Sequence, residues 1–371
     1  MSLNKINEWD VIKRPHVKEI NSSKKLVIFG LGDFAKACEK ALKKKGYSVY
    51  GFLVSTKTID SHNGTNVFAL DEFIGEDTQV IVGVFNREHP YATILEAVEG
   101  RGCLDILFPW DIYSTLGDDL GWQYWLSEPE FLYKNLDKIK KIYNVLGDEL
   151  SRNTLLNTVK FRMGLNIDYS LFRSDDEQYF NQLTLEPLKK KAVNYVDGGA
   201  FDGDSYLELI KLCDVGEAYL FEPDIENFSK LKDNLSEVKS RHSLMPLALS
   251  DEYKILSFSG QGEGSHIDTS GGGVKIAAAA LDDLLGGVEL NFLKLDVEGA
   301  EADALCGAQT IISQSKPVIA LSAYHKPQDL WELPNLISSI SPDYTFYFRQ
   351  HYYNSFDIVL YAIPLTDEKS L

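Results

Sequence analysis

The sequence predicts two α/β units, each a parallel sheet wound on both sides by helices, joined by a helical connector. Three observations predict this. The chain has 371 residues, too many for one compact core, since single cores stop growing at about 250 to 300 residues. Strand-like and helix-like stretches alternate in two separate regions, which is the pattern of parallel sheets. Between those regions, from Trp122 to Lys191, only helical periodicity is found. The expected boundaries are residues 1–120, 121–191 and 192–371.

In the first unit Lys25 to Phe29 is a short β-branched and aromatic run, broken by Gly30-Leu31-Gly32 and followed from Phe34 to Lys45 by apolar residues at helical spacing. A strand over Ser48 to Val54 comes next, then a polar loop through Asn63-Gly64. A strand over Gln79 to Val84, a helix over Tyr91 to Glu99 and a strand over Leu104 to Phe108 complete the unit. The connector carries helical stretches at Leu132 to Leu146 and Glu149 to Met163.

The second unit opens with a strand over Val193 to Val196, a helix over Tyr206 to Leu212, a strand over Ala218 to Phe221, a helix over Ile225 to Leu235 and a strand over Leu244 to Leu249. Ser257 to Gly273 is too long for a turn and too rich in Gly and Ser for a helix, so it reads as a mobile loop near a site. Strand Phe292 to Leu295, helix Ala300 to Ser313, strand Pro317 to Ala323 and helix Gln328 to Ile340 follow. The closing strands, Thr345 to Arg349 and Ile358 to Ile363, have no helix between them and should pair antiparallel.

Bulk composition excludes several functions. Hydrophobic residues are 44% and charged residues 25% of the chain, as in ordinary soluble domains. A net charge of -18 repels nucleic acid, and the basic runs Lys43-Lys44-Lys45 and Lys189-Lys190-Lys191 read as solvated helix faces. Cys38, Cys103, Cys213 and Cys306 stand singly, without the paired spacing of a zinc or redox site. They read as small buried hydrophobes in a reducing compartment. No apolar run is long enough to span a membrane, so a cytoplasmic location is expected.

Gly30-Leu31-Gly32-Asp33-Phe34-Ala35 fits the dinucleotide fingerprint between a strand and a helix. The acidic residue that should close the next strand is missing, with Val54-Ser55-Thr56-Lys57 in its place. This first Rossmann-like unit is therefore open to two readings, nucleotide or nucleotide-sugar binding and a degenerate fold that positions or assembles the rest.

The second unit carries the stronger motif. In Asp197-Gly198-Gly199-Ala200-Phe201-Asp202-Gly203, a buried strand turns into a helix, and Gly199 and Gly203 let a ligand approach the backbone. Glu222, before Pro223, closes the next strand, where a carboxylate accepts the ribose hydroxyls of an adenosine. Phe201 would crowd a pyrophosphate, and Asp197 would repel one while favouring a cationic amino-acid end and a sulfonium. The pair Asp197 and Glu222 thus favours S-adenosylmethionine over NAD as cofactor.

A third segment, Leu293-Lys294-Leu295-Asp296-Val297-Glu298-Gly299-Ala300-Glu301, is a strand ending in a carboxylate-rich turn. Asp296 and Glu298 should face the same crevice, because ligands in open α/β sheets bind at the carboxyl ends of strands. Glu301 reads as a first-turn helix residue favoured by the helix dipole. His325 ends the neighbouring strand and suits removal or positioning of a hydroxyl proton, with Asp296 and Glu298 in support. His266, in the glycine-rich loop, is a weaker candidate for touching substrate. A divalent cation held by the carboxylates and histidine is a further alternative.

Taken together, these motifs resemble the FkbM family of methyltransferases. The match covers about Glu177 to Pro364, from Gln178-Tyr179-Phe180 through Asp197-Gly198-Gly199-Ala200, Glu222-Pro223, Ala248-Leu249-Ser250-Asp251 and Lys294-Leu295-Asp296-Val297-Glu298-Gly299-Ala300-Glu301 to Ser322-Ala323-Tyr324-His325-Lys326-Pro327 and Val359-Leu360-Tyr361-Ala362-Ile363. The resemblance implies a class I fold, a seven-stranded sheet with an antiparallel last strand, in the second unit. It also implies O-methylation of a sugar or other small-molecule hydroxyl, with Ala248, Leu249 and Ser250 joining the cofactor residues. Two rival functions remain at this stage. One is a non-catalytic adenosylmethionine- or nucleotide-binding protein. The other is a nicotinamide-dependent oxidoreductase using the first unit, which Ser55 in the acid position disfavours. The oligomeric state is not readable.

Overall fold

A computed structural model describes residue 9 and residues 12–168, 172–189, 192–259, 266–267 and 273–365. The polar N-terminal residues 1–8, Lys190 and Lys191 of the second basic run, and residues 260–265 and 268–272 of the expected mobile loop lie outside the described residues, as does the side chain of His266. The chain divides into two compact units. The first comprises the described part of Met1–Lys141 with Asn153–Arg173 and Tyr352–Asp357, and the second Ile142–Arg152, Ser174–His351 and the described part of Ile358–Leu371. Among the described residues, no helix is long and apolar enough to cross a membrane.

The first unit alternates strand and helix as its hydrophobic pattern requires. Its elements are β1 (Lys25–Phe29), α1 (Asp33–Lys44), β2 (Val49–Val54), β3 (Ser61–His62), β4 (Thr65–Ala69), β5 (Thr78–Val82), α2 (Tyr91–Glu99), β6 (Asp105–Leu107) and α3 (Pro109–Leu120). The helices α4 (Pro129–Lys134), α5 (Leu136–Val145) and α6 (Glu149–Arg162) follow, and the division between the units falls within α5 and α6. The sheet order is β3-β4-β2-β1-β5-β6. All its pairs are parallel except β3 with β4. Leu26, Val27, Ile28, Val80, Ile81 and Val82 fill its centre, each at most 1% exposed.

Two details differ from the sequence expectation here. The polar loop at Asn63-Gly64 is the turn of the β3–β4 hairpin, with φ of 47° and 82° at the two residues, the left-handed pair such turns demand. The helical stretch Leu132 to Leu146 breaks into α4 and α5 at Asn135.

In the second unit a short helix, α7 (Gln182–Leu185), leads into β7 (Val193–Gly198), α8 (Asp204–Leu212), β8 (Val215–Phe221), α9 (Ile225–Asn234) and β9 (His242–Met245). Then come β10 (Ala248–Leu249), β11 (Lys254–Ser259), β12 (His266–Ile267), β13 (Val274–Ala279) and α10 (Leu281–Leu285). The unit closes with β14 (Phe292–Leu295), α11 (Glu301–Cys306), α12 (Gln309–Ser315), β15 (Val318–Ser322), α13 (Asp329–Ile340), β16 (Tyr344–Gln350) and β17 (Ile358–Pro364). The main sheet has seven strands in the order β16-β17-β15-β14-β7-β8-β9. Strand β17 runs antiparallel to both β15 and β16, as the closing pair of the sequence foretold.

The core of this unit gathers Tyr195, Tyr206, Leu209, Leu220, Leu231, Phe292, Ala320 and Tyr361, all buried. The expected strand Leu244 to Leu249 is two strands in two sheets, because β9 pairs with β8 while β10 pairs with β13. The stretch expected as a loop, Ser257 to Gly273, departs from that expectation at Ser257–Ser259 and His266–Ile267, which lie in the antiparallel pair β11 and β12 within a small sheet, β10-β13-β11-β12. The expected single helix from Ala300 is two, because Asp282 accepts the Thr310 and Ile311 N–H groups at 2.8 and 2.9 Å and so caps α12 separately.

Candidate active site

The candidate site lies in the second unit, where β7, β8, β14 and β15 end. In-register pairing of β7 with β14 sets Asp197 opposite Lys294 and Gly198 opposite Leu295. Asp197 is fully buried, and a buried carboxylate must find partners. Lys294 Nζ reaches Asp197 Oδ1 at 2.7 Å and the Gly199 carbonyl at 2.9 Å, while the Tyr195 hydroxyl donates to Asp197 Oδ2 at 2.9 Å. Burial pushes the Asp197 carboxyl up, against the pull of Lys294. The charge of Asp197 is therefore matched inside the protein and braces the turn from beneath.

The turn itself is a left-handed crossing. Gly199, Phe201 and Gly203 have φ of 77°, 49° and 90°. The Gly199 and Ala200 N–H groups both donate to the Phe221 carbonyl at 3.0 Å, which ties the turn to the end of β8. A Cβ on Gly199 would collide with the Asp296 backbone oxygen, so the turn after β7 and the end of β14 are in direct backbone contact.

Glu222 follows β8 and is 6% exposed. Its Oε2 accepts the Phe201 N–H and its Oε1 the Asp224 N–H, each at 2.9 Å. Each oxygen keeps a second lone pair for a ligand hydroxyl. Burial drives its carboxyl up to about 7, against the lowering effect of those two donors. Pro223 separates Glu222 from Asp224, whose side chain caps α9. Ala248 and Leu249 form β10, and Leu249 abuts Gly198 closely enough that a Cβ there would lie 2.9 Å from Leu249 Cδ1. Ser250 is buried and donates to Asp251 at 3.0 Å.

Asp296, Glu298 and His325 do come together. His325 is fully buried, with Nε2 at 3.5 Å from both Asp296 Oδ1 and Glu298 Oε2, and those two carboxylate side chains remain 26% exposed. Glu298 sits at φ 52°, in the left-handed region. The other ring nitrogen, Nδ1, lies 2.7 Å from Glu301 Oε1. Burial disfavours the imidazolium, but Glu301 and Glu298 outweigh it and raise the His325 pKa to about 10. Burial likewise opposes ionisation of Asp296, yet His325 and Lys294 hold it below its ordinary value. Near neutral pH the cluster is thus an imidazolium facing carboxylates.

Four contributors escaped the sequence reading. Glu301 is buried and accepts the Val297 N–H at 3.1 Å besides engaging His325, a larger role than dipole complementarity. Tyr179 donates to Asp296 Oδ2 at 2.9 Å. Asp329, whose carboxyl burial pushes up, accepts the Lys326 N–H at 2.7 Å. Lys294 had a readable signal, since a lone charge inside the apolar run Phe292-Leu293-Lys294-Leu295 needs a buried partner. Among the described residues, Asp296, Glu301 and His325 place one ligand atom each within 4.8 Å of one another, a spacing that suits one divalent cation.

Residues 197–352 match the family model of the Methyltransferase FkbM domain. The crystal structure of methyltransferase FkbM from Methylobacillus flagellatus KT is similar to the chain with a TM-score of 0.72 at 21% identity, over 92% of this chain and 90% of that one. At that identity the likeness shows the fold. Precorrin-6y C5,15-methyltransferase from Geobacter metallireducens GS-15 aligns with a TM-score of only 0.33 at 13% identity, over 54% of this chain and 97% of that one, and carries no argument. No curated protein matches the sequence.

Proposed function

From the match of residues 197–352 to the family model of the Methyltransferase FkbM domain, we propose that the protein is an S-adenosylmethionine-dependent O-methyltransferase acting on a hydroxyl of a small molecule or glycan. The observation that carries the reading is the convergence of Asp296, Glu298 and His325, after β14 and β15, beside the Gly199 turn, whose strand β7 lies between β14 and the strand that Glu222 follows. The residues fit the cofactor. Glu222 has lone pairs left for a ribose diol, and Gly199 lets the turn after β7 pack directly on the backbone at the end of β14, so that Glu222 and Asp296 flank one turn. The acidic character of the cluster suits a sulfonium better than a pyrophosphate. The four cysteines, all free, fit a reducing, cytoplasmic compartment.

When bound, the cofactor supplies an electrophilic methyl group and leaves as a neutral thioether. The chain must align the acceptor and hold the proton it loses. His325, raised well above its ordinary pKa by the carboxylates around it, acts as a positioning residue that keeps Asp296 ionised and holds Asp296 and Glu298 beside one ring nitrogen. The acceptor hydroxyl donates to one of those carboxylates. The proton that the hydroxyl loses would pass to that carboxylate and then to water. Glu301 fixes the ring orientation from the opposite side.

A second reading, favoured by the spacing of Asp296, Glu301 and His325, has those residues hold a divalent cation that orients the acceptor. The test is methyl transfer from labelled S-adenosylmethionine to a panel of sugars and hydroxylated small molecules, with a chelator arm. Label in an ether product supports the proposal, and loss with chelator restored by Mg²⁺ selects the second reading. Absence of S-adenosylhomocysteine binding by calorimetry overturns both.

A further inference from the structure

The methyl-transfer reading leaves the first unit without a task, although its sheet has the form that binds ligands. The chain builds β1, β2 and β4 outward in one direction and then returns to place β5 and β6 on the other side of β1. Open α/β sheets bind their ligands outside the carboxyl ends of strands at such a reversal. Gly30-Leu31-Gly32 turns there between β1 and α1, and the Gly30 N–H donates to the Leu53 carbonyl at 2.8 Å, which ties the turn to the end of β2.

A cavity of about 590 Å³ opens at the carboxyl ends of β2 and β4, within the range of small-molecule sites. Ser55, Lys57 and Asp60 line it from the segment after β2, and Asp71 and Glu72 from the segment after β4. Lys57 is already paired with Asp60 at 2.8 Å, so the lining offers hydroxyls and carboxylates more than free cations. That lining repels a phosphate inside the cavity and suits a vicinal diol, whose two O–H groups donate to one carboxylate. Ile59, 41% exposed, adds an apolar wall against which a base can lie. The acid missing after β2 is thus supplied by the adjacent strand. Phosphates would leave the cavity toward the Gly30 turn, where Gly30 has φ 105° and no atom lies within 4 Å of a Cβ built on Gly32.

We propose that this cavity, together with the glycine turn after β1, the strand paired with β2, binds a nucleoside 5′-diphosphate or a sugar conjugate of one, with Asp71 accepting the ribose hydroxyls and the diphosphate lying along Gly30 to Gly32. The site is separate from the adenosyl site of the second unit and stands independently of the reading given there.

The experiment is calorimetric titration of ADP, UDP and GDP into the full chain in the presence of saturating S-adenosylhomocysteine, repeated on Glu222→Ala without it. Saturating S-adenosylhomocysteine occupies the second unit's site in the first arm, and Glu222→Ala weakens that site in the second. At least one nucleotide is expected to bind in both arms, and Asp71→Ala and Gly32→Asp should each weaken it by about tenfold or more. Asp at Gly32 keeps the helix start intact, because the residue is in extended backbone at φ -73° and Asp is a good cap there. Melting midpoints and S-adenosylhomocysteine affinity should hold in both variants. No binding of any of the three nucleotides at about millimolar concentration overturns the proposal, as does binding that both variants retain unchanged.

Discussion

The two units contain the same backbone device, a strand, a glycine turn and a helix, at β1 to α1 and at β7 to α8, yet the surroundings of the two turns are unlike. Gly32 has ordinary backbone and open space where a side chain would stand, whereas Gly199 is left-handed and pressed against the backbone of Asp296. Gly83, Val84 and Ala35 surround the first turn. Asp197, Lys294, Glu222 and Asp296 surround the second. The comparison teaches that the same turn can stand in open space or be packed against the next strand, while the side chains closing the neighbouring strands decide what chemistry surrounds it.

The largest effect expected is at the charge cluster that only the second turn possesses. His325→Ala should lower kcat by about 10² to 10⁴, the scale of a lost proton-transfer or positioning group, with S-adenosylhomocysteine affinity nearly unchanged. The acid limb of the rate profile should also move to higher pH, because Asp296 loses the cation that holds its pKa down. Steady-state kinetics across pH reads both effects. Near-normal turnover with an unmoved profile would reduce the second turn to a binding device like the first.

Next in size is the ion pair beneath the turn. Lys294→Met strands the buried Asp197 carboxylate, and breaking such pairs costs about 3 to 5 kcal/mol. Denaturant melts of the variant should show that loss. Stability equal to the parent would mean that Asp197 takes up a proton without penalty, and that the charge beneath the turn is dispensable.

Glu222→Ala should weaken S-adenosylhomocysteine by about 1 to 3 kcal/mol. The parent has its own pH signature. The folded pKa of about 7 lies above the ordinary 4.5, so the folded chain holds this proton more tightly. Its stabilising contribution is full below about 4.5 and fades as pH rises through 7. Ribose hydroxyls need the ionised form, so cofactor affinity should climb between about pH 6 and 8 and stay flat in Glu222→Gln. A flat profile in the parent as well would remove Glu222 from the cofactor site.

The smallest effect sharpens the contrast from the other side. Gly32→Ser introduces a capping hydroxyl into open space, which should stabilise the first unit by a few tenths of a kcal/mol. Cofactor affinity in the second unit should not change. A loss of S-adenosylhomocysteine binding would show that the two turns are not independent.

Much of the fold was readable from local pattern. The runs Lys25 to Phe29, Val193 to Val196 and Phe292 to Leu295 form strands at or within two residues of their expected bounds, and Tyr91–Glu99 is a helix at the expected bounds. Glu222 and Asp296 were recognisable because the end of a strand is a local feature, set by where a β-branched run stops. The same is true of the glycine turns, since no other residue takes their φ cheaply. The periodicity of side chains along a strand or helix depends on near neighbours, so sequence alone determines it.

Partnership was decided only by tertiary structure. Nothing local separates a Glu301 that merely starts a helix from one that holds His325, and nothing near Tyr179 points to Asp296, 117 residues away. Leu244 to Leu249 reads as one strand because both halves are apolar, and it divides between two sheets because β8 and β13 compete for its backbone donors and acceptors. The protonation state of His325 has the same origin. An imidazole with an ordinary pKa near 6.5 is raised to about 10 only when folding surrounds it with carboxylates, and Coulomb interaction depends on distances in space that sequence spacing does not encode.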